Sequence, residues 1–105
     1  MLATVVETTQ FIKQAEGLLS EQDIDKLKYH LAANPHAGDL IQGTGGVRKL
    51  RWAAKGKGKS GGARIIHYFR ATAGCVYIIT AFDKSAKIDL TPAERNALKL
   101  MAKSI

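Results

Sequence analysis

The sequence predicts an α+β domain, in which a small antiparallel β-sheet carries an N-terminal helical hairpin and a C-terminal helix on one face. Apolar residues recur at helical spacing twice near the start of the chain and once near its end. Three β-rich segments lie between them, and capping residues or glycines separate the elements. The resulting order β-αα-βββ-α is typical of an antiparallel sheet with segregated helices. The 105 residues are expected to form one domain, residues 1–105.

The first third of the chain predicts a strand followed by two helices. Residues 3–7 are largely β-branched, which favours a strand, and Thr8 or Thr9 can cap the helix after it. Residues 20–23 (SEQD) resemble a capping box with Asp in place of the usual Glu, so they should begin the second helix. The Asn-Pro pair at residues 34–35 should end it, because a residue before proline is driven out of the helical region.

The rest of the chain predicts a loop, three strands and a helix. Glycines interrupt residues 36–46 and predict a loop. Strands are predicted over residues 47–54, 63–71 and 75–82, and the short turn between the last two predicts an antiparallel hairpin. Thr91, followed by proline and then by glutamate three residues after it, marks the start of the final helix.

The net charge of +7 comes from one central segment. Residues 41–82 contain no Asp or Glu, and their basic residues are Arg48, Lys49, Arg51, Lys55, Lys57, Lys59, Arg64 and Arg70. Such segregation favours a surface that binds a polyanion, which could be RNA, DNA or an acidic protein segment.

Cysteine content and hydropathy bear on location. Cys75 is the one cysteine, so no internal disulfide can form, which fits a reducing cytoplasm. No segment reaches the roughly 20 apolar residues of a transmembrane helix, so no membrane association is expected.

The segment Gly58-Lys59-Ser60 has the ending of a nucleotide-binding P-loop, but its context excludes that site. The motif needs a further glycine five residues earlier, where this chain has Ala53. It must also open directly into a helix, whereas two glycines and a β-branched segment follow Ser60. A flexible basic connection between two strands is the better interpretation.

Two linked motifs resemble the HigB-like branch of the RelE/HigB superfamily of bacterial toxins. They are residues 43–52 (GTGGVRKLRW) and residues 56–68 (GKGKSGGARIIHY). The resemblance implies a RelE-like fold and the toxin of a type II toxin–antitoxin pair. It also implies an endoribonuclease that cleaves mRNA on the translating ribosome without a metal or other cofactor. The implied partner is a cognate antitoxin, of the HigA-like kind with a helix-turn-helix domain.

The resemblance and the strand pattern together indicate site residues. In the strand at residues 63–71, alternation places Arg64 on the face opposite to His67, which we assign to packing. The expected catalytic residues are Arg64, Lys84, Lys87 and Lys49. The expected RNA-binding residues are Arg48, Arg51, Lys55, Lys57, Lys59, Tyr68 and Arg70. The chain has no tyrosine after Tyr77, where some RelE-type enzymes use one.

Two other functions fit parts of the pattern. ParE-like relatives of the same fold poison DNA gyrase, although they need no cluster of phosphate-cleaving cations. A nucleic-acid-binding module without catalysis would use the basic segment only to hold backbone phosphates.

Overall fold

A computed structural model describes residues 2–54, 62–87 and 89–105. Its elements in chain order are β1 (Thr4–Glu7), α1 (Thr9–Ala15), α2 (Glu21–Ala33), β2 (Asp39–Leu40), β3 (Arg48–Trp52), β4 (Ala63–Arg70), β5 (Cys75–Asp83) and α3 (Pro92–Ser104). The predicted α+β class and the order of the predicted elements are confirmed. The short strand β2 is an addition inside the segment predicted as a loop. None of the described helices has the length and apolar character needed to cross a membrane.

The five strands form one sheet in the order β1-β5-β4-β3-β2. The pairings β3–β4 and β4–β5 are antiparallel, as predicted, and the added strand β2 pairs antiparallel with β3, whereas β1 pairs with β5 in parallel. The expectation of an antiparallel sheet therefore needs correction at this edge. Parallel neighbours require a long crossover, and the whole chain between Glu7 and Cys75 supplies it.

The helices cover both faces of the sheet. Ile65 packs in a core with Phe11 of α1 and Leu27 of α2, while its neighbour Ile66 packs in a second core with Leu98 of α3. The prediction of helices on one face is thus correct for α1 and α2, and α3 lies on the opposite face. The physical reason is that β4 is apolar on both sides, so that each face must be covered.

Local capping signals fix the ends of the helices as the sequence predicted. Thr8 caps α1, and Ser20 forms a reciprocal capping box with Asp23 at the start of α2. Thr91 forms a second box with Glu94 at the start of α3. Each cap is worth about 1 kcal/mol, and the second one lies beside the site described below.

Candidate active site

A cationic cluster occupies one end of the sheet face that α3 covers. We define the cationic cluster as Lys49, Arg51, Arg64 and Lys87. In the strand register Arg51 lies opposite Arg64, and Arg64 lies opposite Phe82. Directly opposed residues share a face, so these three side chains form a row across β3, β4 and β5. Phe82 packs in the α3-side core, which assigns the row to that face.

Arg64 is the buried member of the cluster, with a relative exposure of 4%. Burial, followed by the charge of Arg51, lowers the pKa of the Arg64 guanidinium below its ordinary value. The guanidinium nevertheless stays protonated at neutral pH, because arginine side chains do not deprotonate in proteins. Two neighbouring positive groups, one of them desolvated, favour the binding of an anion that can contact both.

The two lysines of the cluster are held by carboxylates that flank the start of α3. The Nζ atom of Lys49 donates to Oδ1 of Asp89 at 3.0 Å. The Nζ atom of Lys87 donates to Oε2 of Glu94 and lies 5.6 Å from the centroid of the Phe82 ring. The cluster therefore draws side chains from β3, β4 and the segment after β5 to one place.

Lys84 follows β5 at the same end of the sheet. Its backbone nitrogen donates to the carbonyl oxygen of Gly62 at 3.2 Å, which extends the β4–β5 ladder by one rung. The carboxylate of Asp83 accepts from the backbone N–H and the hydroxyl of Ser85 and so shapes the turn after the strand. Asp83 therefore has a structural role in this turn.

The turn before β3 explains the first sequence motif. Thr44 is fully buried, donates from its hydroxyl to the carbonyl oxygen of Ile41 at 2.7 Å and accepts from the N–H of Val47 at 3.2 Å. The flanking glycines Gly43 and Gly45 have positive φ values of 80° and 78°, which few other residues adopt. The motif is thus a closed turn that sets where β3, with its lysine and arginine, begins.

Three predicted RNA-binding residues do not join the cluster. Arg48 lies opposite His67, on the other face, and donates to the carbonyl oxygen of Gly38 at 3.1 Å. Tyr68 shares the face of Arg64 but packs in the core beneath α3. It lies four residues beyond Arg64 along β4, which is about 13 Å at a rise of about 3.3 Å per residue. Arg70 lies further still along the strand and donates to the backbone oxygen of Ile105. The alternation of side chains along β4 correctly predicted which face of the sheet each residue occupies. It did not predict that α3 covers the part of that face where Tyr68 and Arg70 lie. The predicted residues Lys55, Lys57 and Lys59 lie outside the described residues.

The assignment of His67 to packing is confirmed. The ring is fully buried on the face opposite to the cluster, and Nε2 lies 2.8 Å from the carbonyl oxygen of Ala37. Burial lowers its pKa to about 4, so the imidazole is neutral at pH 7. His30 packs against Trp52 and His36 against Phe69 on the same side of the molecule. In the described part of the chain, each histidine side chain therefore contacts groups outside the cluster.

Sequence reasoning missed the carboxylates that contact the cluster. The sequence predicts Glu94 only as part of the helix start at Thr91, and nothing in the spacing of Asp89 or Glu94 from Lys49 or Lys87 indicates a contact. Among the described residues no group of three or more His, Cys, Asp or Glu side chains could hold a metal ion.

Comparisons with known proteins agree with this architecture. A family model described as the RelE toxin of the RelE/RelB toxin–antitoxin system matches residues 4–105. A double arginine-to-alanine mutant of the E. coli toxin RelE in the free state is similar in fold, with a TM-score of 0.64, 13% identity and coverage of 96% of this chain and 97% of that one. The RelBE2 toxin–antitoxin complex of Mycobacterium tuberculosis gives 0.60 at 16% identity over 79% and 92% of the two chains. The isolated E. coli RelE toxin gives 0.55 at 14% identity over 94% and 98%. At these identities the solved structures establish the fold, and assignment to the HigB-like branch stays a prediction.

Proposed function

The chain belongs to the RelE toxin family of toxin–antitoxin systems, and from that premise we propose that it is an endoribonuclease that cleaves mRNA on the translating ribosome without a metal ion. A cognate antitoxin, with a helix-turn-helix DNA-binding domain, is the proposed partner that neutralises it by direct binding. Because the substrate is ribosome-bound mRNA, the cytoplasm is the proposed place of action.

The observation that carries the proposal is the buried Arg64 beside Arg51, with lysines on both sides. An RNA phosphate that contacts both guanidiniums would offset the desolvation and the mutual repulsion that lower the pKa of Arg64. A planar guanidinium can donate two parallel hydrogen bonds to phosphate oxygens, so the pair can hold the phosphate in one orientation. Fixed positive groups of this kind stabilise the charge that develops on a pentavalent phosphorus more strongly than water does.

The reaction is an attack of the ribose 2′-oxygen on the adjacent phosphorus. The 2′-OH gives up its proton, a bond forms between the 2′-oxygen and phosphorus, and the bond from phosphorus to the 5′-oxygen of the next nucleotide breaks. The 5′-oxygen then takes a proton, leaving a 2′,3′-cyclic phosphate on one product and a 5′-OH on the other. Electrostatic stabilisation and two proton transfers are the functions that the protein must supply.

The strand order supports a division of these roles. The attacking and leaving oxygens lie on opposite sides of phosphorus, so the proton acceptor and the proton donor should approach from opposite sides. Lys49 lies on the β3 side of Arg64, and Lys84 follows β5 on the other side. We assign proton acceptance to Lys84 and proton donation to Lys49, while Lys87 and Arg64 stabilise the phosphorane.

The test is cleavage of a labelled mRNA by purified protein, with and without translating ribosomes, in parallel with the variants Arg64→Ala and Arg64→Met. Methionine retains most of the volume at this buried position, so it separates loss of charge from loss of packing. Lys26→Ala is the matched control, because it removes one positive charge from the exposed surface of α2. Wild type and the control should cleave at similar rates, whereas both Arg64 variants should lose at least about a hundredfold in rate.

Other outcomes separate the alternatives. Folded Arg64 variants that cleave as fast as wild type would show that the site is wrongly assigned. RNA binding without cleavage, with or without ribosomes, would favour a non-catalytic binding module. An early block of replication with intact mRNA after induction in cells would favour a gyrase poison.

A further inference from the structure

Two carboxylates flanking the first residues of α3 reach back onto the cationic cluster. One oxygen of Glu94 accepts the backbone N–H of Thr91 at 2.8 Å and the other accepts Nζ of Lys87. Oδ1 of Asp89 accepts both the backbone N–H of Leu90 at 2.8 Å and Nζ of Lys49. Each carboxylate is therefore held by a backbone N–H of its own chain segment as well as by a lysine.

The carboxylates carry negative charge at neutral pH. The backbone N–H of Leu90, followed by Lys49, lowers the pKa of Asp89. Lys87, followed by the N–H of Thr91, lowers the pKa of Glu94. The negative charge of these carboxylates repels an RNA phosphate. Their presence beside a proposed phosphate site therefore requires a compensating benefit.

The benefit lies in restricting the two lysine side chains. A lysine has a long flexible stem, and its ammonium group occupies many positions unless a partner holds it. Lys49 and Lys87 retain 29% and 34% side-chain exposure, so packing alone does not fix them. The ion pairs hold one ammonium on each side of Arg64, so that Lys49 is placed to donate a proton and Lys87 to stabilise the phosphorane.

We propose that Asp89 and Glu94 are positioning residues, which hold Lys49 and Lys87 in the geometry that RNA cleavage requires. The inference rests on the proposed endoribonuclease function. It predicts opposite effects on binding and on turnover. Loss of a carboxylate adds one positive charge and should leave RNA affinity equal or tighter, whereas the released lysine should lower kcat.

The variants Asp89→Asn and Glu94→Gln test the proposal without removing the caps. The side-chain amide oxygens can still accept the backbone N–H groups of Leu90 and Thr91, and glutamine is a normal member of a capping box. Glu7→Gln is the matched control, since it removes a carboxylate that lies 3.2 Å from Lys28 on β1 and α2, away from the cluster. It makes the same change in net charge.

The expected result is a fall in kcat of about tenfold to a hundredfold for each site variant, with KM for RNA unchanged or lower and with wild-type thermal stability to within a few degrees. Glu7→Gln should retain the wild-type kcat. Wild-type kcat in both folded site variants, or a kcat above wild type, would overturn the positioning role alone. An inactive wild type would overturn the proposed function, and the inference with it.

Discussion

Acidification should destabilise this protein through one buried histidine, His67. Its imidazole is completely buried, and among the residues that the structure describes its ring has one hydrogen-bonding contact, from Nε2 to the carbonyl oxygen of Ala37. Nδ1 is buried, with no hydrogen-bond partner among the described residues. Protonation would place a charge in this apolar interior, which is why burial lowers the pKa from 6.5 to about 4.

The size and the sign of the effect follow from that change in pKa. Because the folded state has the lower pKa, the unfolded chain binds more protons between pH 6.5 and pH 4, and stability falls as the pH drops through this window. Each pKa unit corresponds to about 1.4 kcal/mol, so the full loss below pH 4 is about 3 kcal/mol. About 2 kcal/mol of it should be lost between pH 7 and pH 5, a large share of the roughly 5–15 kcal/mol of a typical domain.

Urea unfolding at pH 7 and pH 5 measures this contribution when wild type is compared with His67→Gln. The glutamine amide can still donate to Ala37 but does not titrate, so the variant should lose about 2 kcal/mol less than wild type over this pH change. Unfolding should be followed by far-UV circular dichroism, because Trp52 lies 5.3 Å from the ring of His30 and its fluorescence would respond to that imidazole. His36→Gln, which removes an exposed imidazole, should keep the wild-type pH dependence.

Equal pH dependence in wild type and His67→Gln, to within about 0.5 kcal/mol, would refute the assignment. Asp89 and Glu94 also lose stabilising charge on acidification, because their pKa values are lowered in the folded state. Their contribution falls at lower pH and is common to both proteins, so it cancels in the comparison.

Three further predictions concern the cluster and the elements that support it. Arg64→Met should lower the cleavage rate at least about a hundredfold while the melting temperature stays within a few degrees of wild type, because methionine keeps most of the side-chain volume and removes the charge beside Arg51; a large fall in melting temperature would contradict this. Gly38→Ala should lower the free energy of unfolding in urea by about 1–3 kcal/mol, since φ is +88° and a Cβ atom would lie 2.4 Å from the carbonyl oxygen of Lys49; wild-type stability would show that the backbone can move. Thr91→Ala should cost about 1 kcal/mol in the same assay through loss of the α3 cap, and a neutral effect would mean that tertiary packing alone fixes that helix end.

Much of the fold was readable from local signals. Ser20 and Thr91 predicted helix starts correctly because capping depends on residues three positions apart. Alternation in β4 predicted that Arg64 and His67 face opposite ways, because side-chain direction in a strand depends on backbone geometry alone.

Long-range relations were not readable in the same way. The parallel pairing of β1 with β5, and the position of α3 on the far face, depend on which surfaces meet after the chain folds. For the same reason Arg70 was expected at the site but donates to the end of α3, while the contact between Lys49 and Asp89 joins residues 40 positions apart. Counting charged residues along the sequence locates the basic segment, but it does not show which carboxylates contact its lysines.

The most direct test of the central claim is cleavage of ribosome-bound mRNA in the presence of a metal chelator selective enough to leave the ribosome intact. One substrate is all-ribose, and the other carries a single 2′-deoxynucleotide at the scissile position. Attack by the 2′-oxygen within the cationic cluster predicts a 2′,3′-cyclic phosphate product from the first substrate and no cleavage at that position in the second. Equal cleavage of both substrates, or a product with a 5′-phosphate, would contradict it.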